Sequence, residues 1–403
     1  MGRRKARQVY GDPDYILIAA LAGLVILGLM MVYSATFDWS YQEYDSSLHI
    51  ALRQFRWVGM GIAALAVCMF VPYDWWQRAA VPVMGATLLS LILVLLIGDV
   101  RYGAQRSFLG GSIHPGELAK LTMVIYVAAW LASKGDEIRD VTYGLIPFGV
   151  LIGVVAGLIV AQPDLGTAVL IALTSLAVFF FAGADILQLA AGGVVGGVTF
   201  VLLIHKFPHA MERINGWLEV WQSPEHASYH MQQTLIALGS GGLFGAGLGQ
   251  GQQKLGYLPT PHTDTIFAVL GEEMGLVGCL FVLGLFVLFA YRGFKIAMNA
   301  QDSFAALLAS GITCWITFEA LINVGVVTGL LPFTGMVLPF FSAGGSAMVT
   351  SLAGVGLLLS VSRGKSVRKR EESRQYASLD RWWGNRGTRV SGPRRRTGAS
   401  RYR

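Results

Sequence analysis

The stretch Tyr257-Leu-Pro-Thr-Pro-His-Thr-Asp-Thr-Ile-Phe-Ala-Val-Leu-Gly-Glu-Glu-Met-Gly275 decides how this chain folds. It begins polar, with prolines and threonines suited to turns, and at Asp264 it meets an apolar run that continues to about residue 291. Such a run exceeds the roughly 20 residues that a helix needs to cross the hydrocarbon of a bilayer. Asp264 then stands at a membrane edge, half in water, with a helix behind it to hold it still. Glu272 and Glu273 fall two to three turns deeper and read as groups that stabilise a helix bundle.

The same pattern extends in both directions. Of the 403 residues, 54% are hydrophobic and 14% charged, where a soluble domain carries about a quarter charged. Mean hydropathy is +0.55. The apolar runs do not alternate with polar residues, which excludes a β-barrel. Ten spans are expected, at about 15–33, 57–71, 79–97, 118–131, 146–161, 165–182, 186–204, 266–291, 304–327 and 345–361. The fold class is therefore an all-α polytopic membrane protein of ten transmembrane helices, with a large extracytoplasmic loop between helices 7 and 8. Residues 1–14 form a cytoplasmic N-terminal segment, 15–362 the membrane domain, 205–265 its long loop, and 363–403 a basic, disordered cytoplasmic tail. The first run is too long for a signal sequence core and is read as a retained helix.

Charge sets the orientation. Alternate loops and termini carry 23 of the 31 Lys and Arg on the terminal side against 8 on the other, which places both termini in the cytoplasm. Fourteen of them follow Val361, so the net charge of +7 belongs to a solvated tail that can touch anionic lipid and gives no reason to expect nucleic acid. Cys68, Cys279 and Cys314 fall inside apolar runs and read as small core residues, without disulfide or metal spacing.

Polar groups gather at helix ends on the side away from the termini. Arg106 lies after the third span. In His114-Pro-Gly-Glu-Leu-Ala-Lys120, Glu117 and Lys120 are three apart and share a helix face, either as a structural ion pair or as a functional one. In Gln162-Pro-Asp-Leu-Gly-Thr167, Asp164 is open to two roles, a helix cap or a substrate contact. Asp264 in His262-Thr-Asp264 also has a plain N-cap as its alternative. The glycine-rich Leu238-Gly-Ser-Gly-Gly-Leu-Phe-Gly-Ala-Gly-Leu-Gly249 suits close backbone packing or, on a sharper reading, a phosphate cradle. Gly329-Leu-Leu-Pro-Phe-Thr-Gly335 and Leu338-Pro-Phe-Phe-Ser-Ala-Gly-Gly-Ser346 are irregular pieces expected to line a cavity near Glu319 and Asn323.

Taken in order, these motifs resemble the shape, elongation, division and sporulation (SEDS) family, the FtsW/RodA/SpoVE group, over residues 14–362. The resemblance rests on Pro115-x-Glu-Leu-Ala-Lys120, Gln162-Pro-Asp-Leu-Gly-Thr167, Gln252-Gln-Lys254, Tyr257-Leu-Pro259, His262-Thr-Asp264, Glu272-Glu273, Gly329-Leu-Leu-Pro-x-Thr-Gly335 and Gly344-Gly-Ser346. The chain departs from the family pattern at Gly116 (usually Ser), Thr260 (acidic), Thr265 (aromatic) and Ala343 (Tyr). The resemblance implies a peptidoglycan glycosyltransferase that polymerises lipid II in cell division or elongation, with a class B penicillin-binding protein and other divisome or elongasome membrane proteins as partners in the bacterial cytoplasmic membrane. The long tail leans toward the division or sporulation type. Asp264 matches the family's essential aspartate and becomes either the base that takes the GlcNAc 4-hydroxyl proton or the ligand of a divalent cation, Mg or Mn. Arg106 and Lys120 become candidates for the pyrophosphate, and Glu117, Gln162, Asp164, Lys254, His262, Thr263, Ser342 and Ser346 further substrate contacts. A lipid II flippase and a non-catalytic division scaffold are the rival expectations; a flippase would place ionisable groups along a full-depth path.

Overall fold

The computed structural model describes residues 11–101, 104–108, 111–222 and 227–384. The first ten residues of the N-terminal segment, and the basic tail from residue 385, lie outside the described residues. The helices are α1 (Tyr15–Tyr44), α2 (His49–Phe70), α3 (Tyr73–Ile97), α4 (Pro115–Lys134), α5 (Ile146–Val160), α6 (Leu165–Phe181), α7 (Ile186–Lys206), α8 (Pro208–Gln222), α9 (Tyr229–Ser240), α10 (Ile266–Met298), α11 (Ser303–Val327) and α12 (Gly345–Gly384). A two-stranded antiparallel hairpin, β1 (Asp99–Arg101) and β2 (Ala104–Ser107), follows α3. Nothing in the hydropathy pattern announces it.

Each of the ten apolar runs lies on one helix. Among the described residues nine helices are long and apolar enough to cross a membrane: α1 to α4, α5 with the turn before it, α7, α10, α11 and the Gly345–Gly364 part of α12. The tenth, α6, has 17 residues. At 1.5 Å per residue it reaches about 25 Å, short of the roughly 30 Å of hydrocarbon. Hydropathy marks where a helix contacts lipid, not where it ends. So α1 runs eleven residues past Tyr33 into a polar, aromatic segment, and α12 runs past the expected boundary at 362.

Burial orders the bundle. The hydrophobic windows of α12, α11 and α4 are 78%, 72% and 61% buried, and that of α7 only 6%. The first three form the centre and α7 the rim. Charges at that centre are paired. Lys120 of α4 bonds Glu117 on its own helix at 2.8 Å and Glu319 of α11, and Trp315 donates its indole N–H to Glu319 at 2.8 Å. The three cysteines are free and buried, as their apolar setting indicates.

The segment from 205 to 265 is largely ordered as α8, α9 and a glycine-rich turn, rather than being a plain loop. Trp217 of α8 fastens it to the bundle by donating to the Gly329 carbonyl at 2.9 Å.

Candidate functional site

α10 is broken at Gly275, whose backbone (φ 65°, ψ −167°) lies in a region essentially reserved for glycine. A break inside a helix frees amides and carbonyls, which must find partners within the protein if the helix is in lipid. The glycine-rich turn supplies them. Ala246 and Gly247 donate to the carbonyls of Glu272 and Glu273 at 2.9 and 3.0 Å, and Leu276 and Val277 donate back to Gly242 and Leu243 at 2.9 and 3.1 Å. The approach is so close that a Cβ on Gly241 would lie 1.9 Å from the Gly271 carbonyl oxygen.

Both glutamates complete this splice. Glu272 accepts from the amides of Gln252 and Gln253 at 2.6 and 3.1 Å. Glu273 accepts from the Gly249 amide at 3.0 Å, the Lys254 ammonium at 2.6 Å and the Ser34 hydroxyl at 2.6 Å. These amides face α10, so the turn is a packing device and the phosphate-cradle reading is set aside.

From this anchor the chain climbs through 255–263 to Asp264. The plain N-cap reading of Asp264 fails. Thr265 is the cap residue, its side chain makes no cap bond, and the Asp264 carboxylate turns back into the loop. Its Oδ1 accepts from the hydroxyls of Thr260 and Thr263 at 2.6 and 2.8 Å. Thr260 thus bonds Asp264 at a position where the family pattern has an acid. Oδ2 takes no protein hydrogen bond among the described residues, and the residue is only half-buried.

The backbone under this carboxylate is pinned at three successive carbonyls. That of His262 accepts from the Ala343 amide at 2.8 Å, that of Thr263 from the Ser342 hydroxyl at 2.5 Å, and that of Asp264 from the Asn323 amide group at 2.8 Å. Asn323 also donates to the Met336 carbonyl at 2.7 Å, and Gln54 of α2 to the Ser342 carbonyl at 3.2 Å. The two irregular pieces after α11 therefore form the floor on which Asp264 is held.

Other helix ends meet here. Asp164 caps α6, accepting from the Thr167 amide at 3.0 Å and its hydroxyl at 2.8 Å. The capping role is thus realised, and its charge still reaches Arg213. The His114 amide donates to the Ser346 hydroxyl at 3.3 Å, which joins the starts of α4 and α12. His262 stacks on Trp39 with ring centroids 4.8 Å apart. Burial holds its imidazole below the ordinary histidine value, with the Asp264 charge pulling up and Arg53 pushing down. Arg106 on β2 is exposed and interacts with Arg213.

The structure thus gathers His262, Thr263, Asp264, Ser342, Asp164, Ser346 and Arg106 at one end of the bundle. Four other predicted residues are engaged elsewhere. Gln162 is buried and donates to the Leu91 carbonyl at 3.1 Å. Glu117 and Lys120 are in the α4–α11 ion network, and Lys254 is held by Glu273. Two residues escaped the reading of the sequence, Arg213 of α8 and His230 of α9. The Arg213 guanidinium lies 5.6 Å from the Phe333 ring centre, and the His230 ring packs against the same ring at 4.3 Å. Burial holds His230 below its ordinary value, while Asp264 raises it and Arg213 lowers it. Their one signal was position: basic side chains within an extramembrane segment that ends at Asp264.

Among the described residues no three His, Cys, Asp or Glu side chains are grouped to hold a metal ion. Asp264 offers one unshared carboxylate oxygen. Mg2+ is commonly held by one or two carboxylates together with substrate phosphates, so this donor fits such an ion only with a diphosphate present.

The family model described as "Cell cycle protein", for FtsW, RodA and SpoVE, matches residues 14–367. The chain belongs to this family. Stage V sporulation protein E of Bacillus subtilis (strain 168) is 40% identical over 360 residues, 87% of this chain and 97% of that protein. A protein of Trichlorobacter lovleyi named probable peptidoglycan glycosyltransferase FtsW is 36% identical over 355 residues, covering 87% of this chain and 93% of the relative. Among solved structures, a chain from a peptidoglycan synthase complex, described as coordinating polymerization and crosslinking, superposes with TM-score 0.71 at 29% identity over 88% of this chain and 99% of its own. The rod shape determining protein RodA of Thermus thermophilus gives 0.66 at 30% identity over 88% and 98%. This FtsW/RodA/SpoVE-family chain is accordingly a multi-pass, all-α membrane protein.

Proposed function

We propose that this chain is a peptidoglycan glycosyltransferase that polymerises lipid II by inversion at the sugar C1, with Asp264 as the base. The observation that carries the assignment is the carboxylate itself: Asp264 is pinned at its backbone, oriented through Oδ1 by two hydroxyls, and left with Oδ2 unshared. In the step, the GlcNAc 4-oxygen of one lipid-linked sugar attacks C1 of another. Its proton passes to Asp264, and the C1–O electron pair leaves on the diphosphate. Arg106 neutralises the departing charge; in the alternative role Asp264 would hold a divalent cation, which would supply charge stabilisation in place of the base. His262, Thr263, Ser342 and Ser346 shape the platform. Lys120, bound by two glutamates, serves the bundle on this reading rather than the pyrophosphate. The asymmetry of positive charge supports a cytoplasmic-membrane location with both termini inside and Asp264 outside. The likeness to a chain of a peptidoglycan synthase complex supports a class B penicillin-binding protein as partner.

Reconstitution with lipid II and such a partner tests the assignment. Asp264→Asn keeps an acceptor for both threonine hydroxyls, so the variant is expected to stay folded and membrane-inserted. Its polymerisation rate is expected to fall by at least about 10²–10⁴, the contribution of a positioned base. Normal glycan synthesis by the variant refutes the role. Leaflet exchange of lipid II without polymer would favour a flippase, and neither activity a scaffold.

A further inference from the structure

Among the described residues, Arg213 is a basic group at this end of the bundle with no carboxylate in ion-pair contact. α8 places it on the ring of Phe333, at 5.6 Å, where cation–π contact and the ring's shape restrict the guanidinium without using its five N–H donors. The placement follows from a chain of contacts. Trp217, one turn further along α8, bonds Gly329, and His230 of α9 packs on the same Phe333 ring. The next residue, Thr334, brings its carbonyl oxygen to 3.3 Å from where a Cβ on Gly166 would stand, two residues from Asp164. Met336, two further on, shares the Asn323 side chain with the carbonyl of Asp264. Arg213 therefore belongs to the same cluster as Asp164 and Asp264.

Its charge environment is unusual. The Arg213 side chain is exposed, yet partial desolvation by its neighbours and then the like charge of Arg106 disfavour the guanidinium, with Asp164 and Asp264 pulling the other way. Among the described residues neither arginine has a carboxylate within ion-pair distance. Two guanidinium groups kept near one another without a bridging carboxylate suit a ligand that supplies several negative oxygens at once.

We propose that Arg213, together with Arg106, recognises the diphosphate of the lipid-linked substrate and receives it as the leaving group, so that α8 carries part of the binding site. The proposal rests on the glycosyltransferase reading and adds to it a residue of α8 at the diphosphate. Both arginines lie within range of each other's charge, and Arg213 within range of the Asp264 charge. As the C1–O bond breaks and its electron pair moves onto the diphosphate oxygen, the added charge falls between the two arginines, while the 4-hydroxyl proton goes to the carboxylate.

The test is a binding measurement that does not depend on turnover. The full chain in nanodiscs is titrated with undecaprenyl diphosphate and, as comparator, undecaprenyl monophosphate. Wild-type protein is expected to prefer the diphosphate. Arg213→Ala is expected to lose about tenfold to a hundredfold in diphosphate affinity, the range of a charged hydrogen bond, with monophosphate affinity changed less. Arg213→Lys should fall between, since a point charge replaces a fork. Thermal unfolding of each variant in the same discs reports the fold. If Arg213→Ala binds both lipids as wild type does, or loses both equally, the proposal is overturned. Failure of the wild-type protein to make glycan would instead sink the glycosyltransferase reading, and the lipid preference would stand or fall separately.

Discussion

Replacing Gly275 with alanine strikes the splice between α10 and the glycine-rich turn. The new Cβ would sit 2.4 Å from the Gly245 nitrogen and 2.6 Å from the Leu243 carbonyl group, and the backbone would have to hold φ 65°. A non-glycine residue in such a region costs roughly 1–3 kcal/mol. Relief of the clash moves the turn away and endangers the four backbone hydrogen bonds across the break, at about 0.5–1.5 kcal/mol each. The sum runs from about 3 to about 9 kcal/mol, concentrated in one local unit rather than spread over the bundle. At the low end the opening equilibrium of the turn rises by about a hundredfold, because every 1.4 kcal/mol is a factor of ten. Hydrogen exchange followed by mass spectrometry should show residues 241–254 losing protection by that factor while α11 keeps its own. Polymerisation should fall with it, because Glu272, Glu273 and Lys254 anchor the strand that leads to Asp264. Gly284→Ala is the control: on the same helix, its Cβ meets nothing within 4 Å, and alanine there should be neutral or slightly stabilising. Unchanged protection and activity in Gly275→Ala would refute the claim that this splice positions the loop carrying Asp264.

Two further outcomes follow from named groups. Burial holds His230 and His262 below their ordinary value, so on acidification the unfolded chain takes up protons first. Stability is full above the unfolded value and declines as pH falls through it. Thermal scans between pH 8 and pH 5 should show a loss on the acid side that is shallower in His230→Gln and His262→Gln, and an unchanged slope would remove the histidines from the account. Lys120→Met leaves Glu117 and Glu319 together in the bundle without their cation, and should cost roughly 3–5 kcal/mol in unfolding measurements. Adding Glu319→Gln should recover part of that loss.

The helices were legible in the sequence because hydropathy is a local property: a run of apolar residues either spans lipid or does not. The orientation argument used local charge counts in the same way. Asp264 was legible because the shift from polar turn to apolar helix occurs within a few residues of it. What the sequence hid depends on contacts between residues far apart along the chain. Lys254 looks like a free cation beside a glutamine pair, yet its partners are Ser34, 220 positions away, and Glu273. Arg213 looks like one more charge on a polar helix, and only the fold sets it on Phe333. The glycine-rich stretch was ambiguous for the same reason. Whether its amides face a phosphate or a neighbouring helix is decided by the break at Gly275, and glycine content alone does not reveal that.

The way carboxylates are satisfied also weighs the enzyme against the transporter. Glu272, Glu273 and Glu319 each accept bonds from at least two donors inside the protein and are at most 4% exposed. To carry a proton or an ionic headgroup through the bundle they would have to give up those partners at every cycle, and stripping a buried charge of its partner costs several kcal/mol. A full-depth path built from such groups is poorly suited to transport. Asp264 differs from them in the respect that matters for chemistry. Its backbone is as firmly fixed as theirs, but among the described residues one oxygen is unshared, and the side chain is only half-buried. A base must be positioned before its substrate arrives and must have a lone pair left to use when it does. In this chain fixed groups hold the membrane interior together, and the carboxylate that combines fixity with a vacant lone pair stands at the bundle's end, where a lipid-borne sugar can meet it without leaving the leaflet that holds its tail.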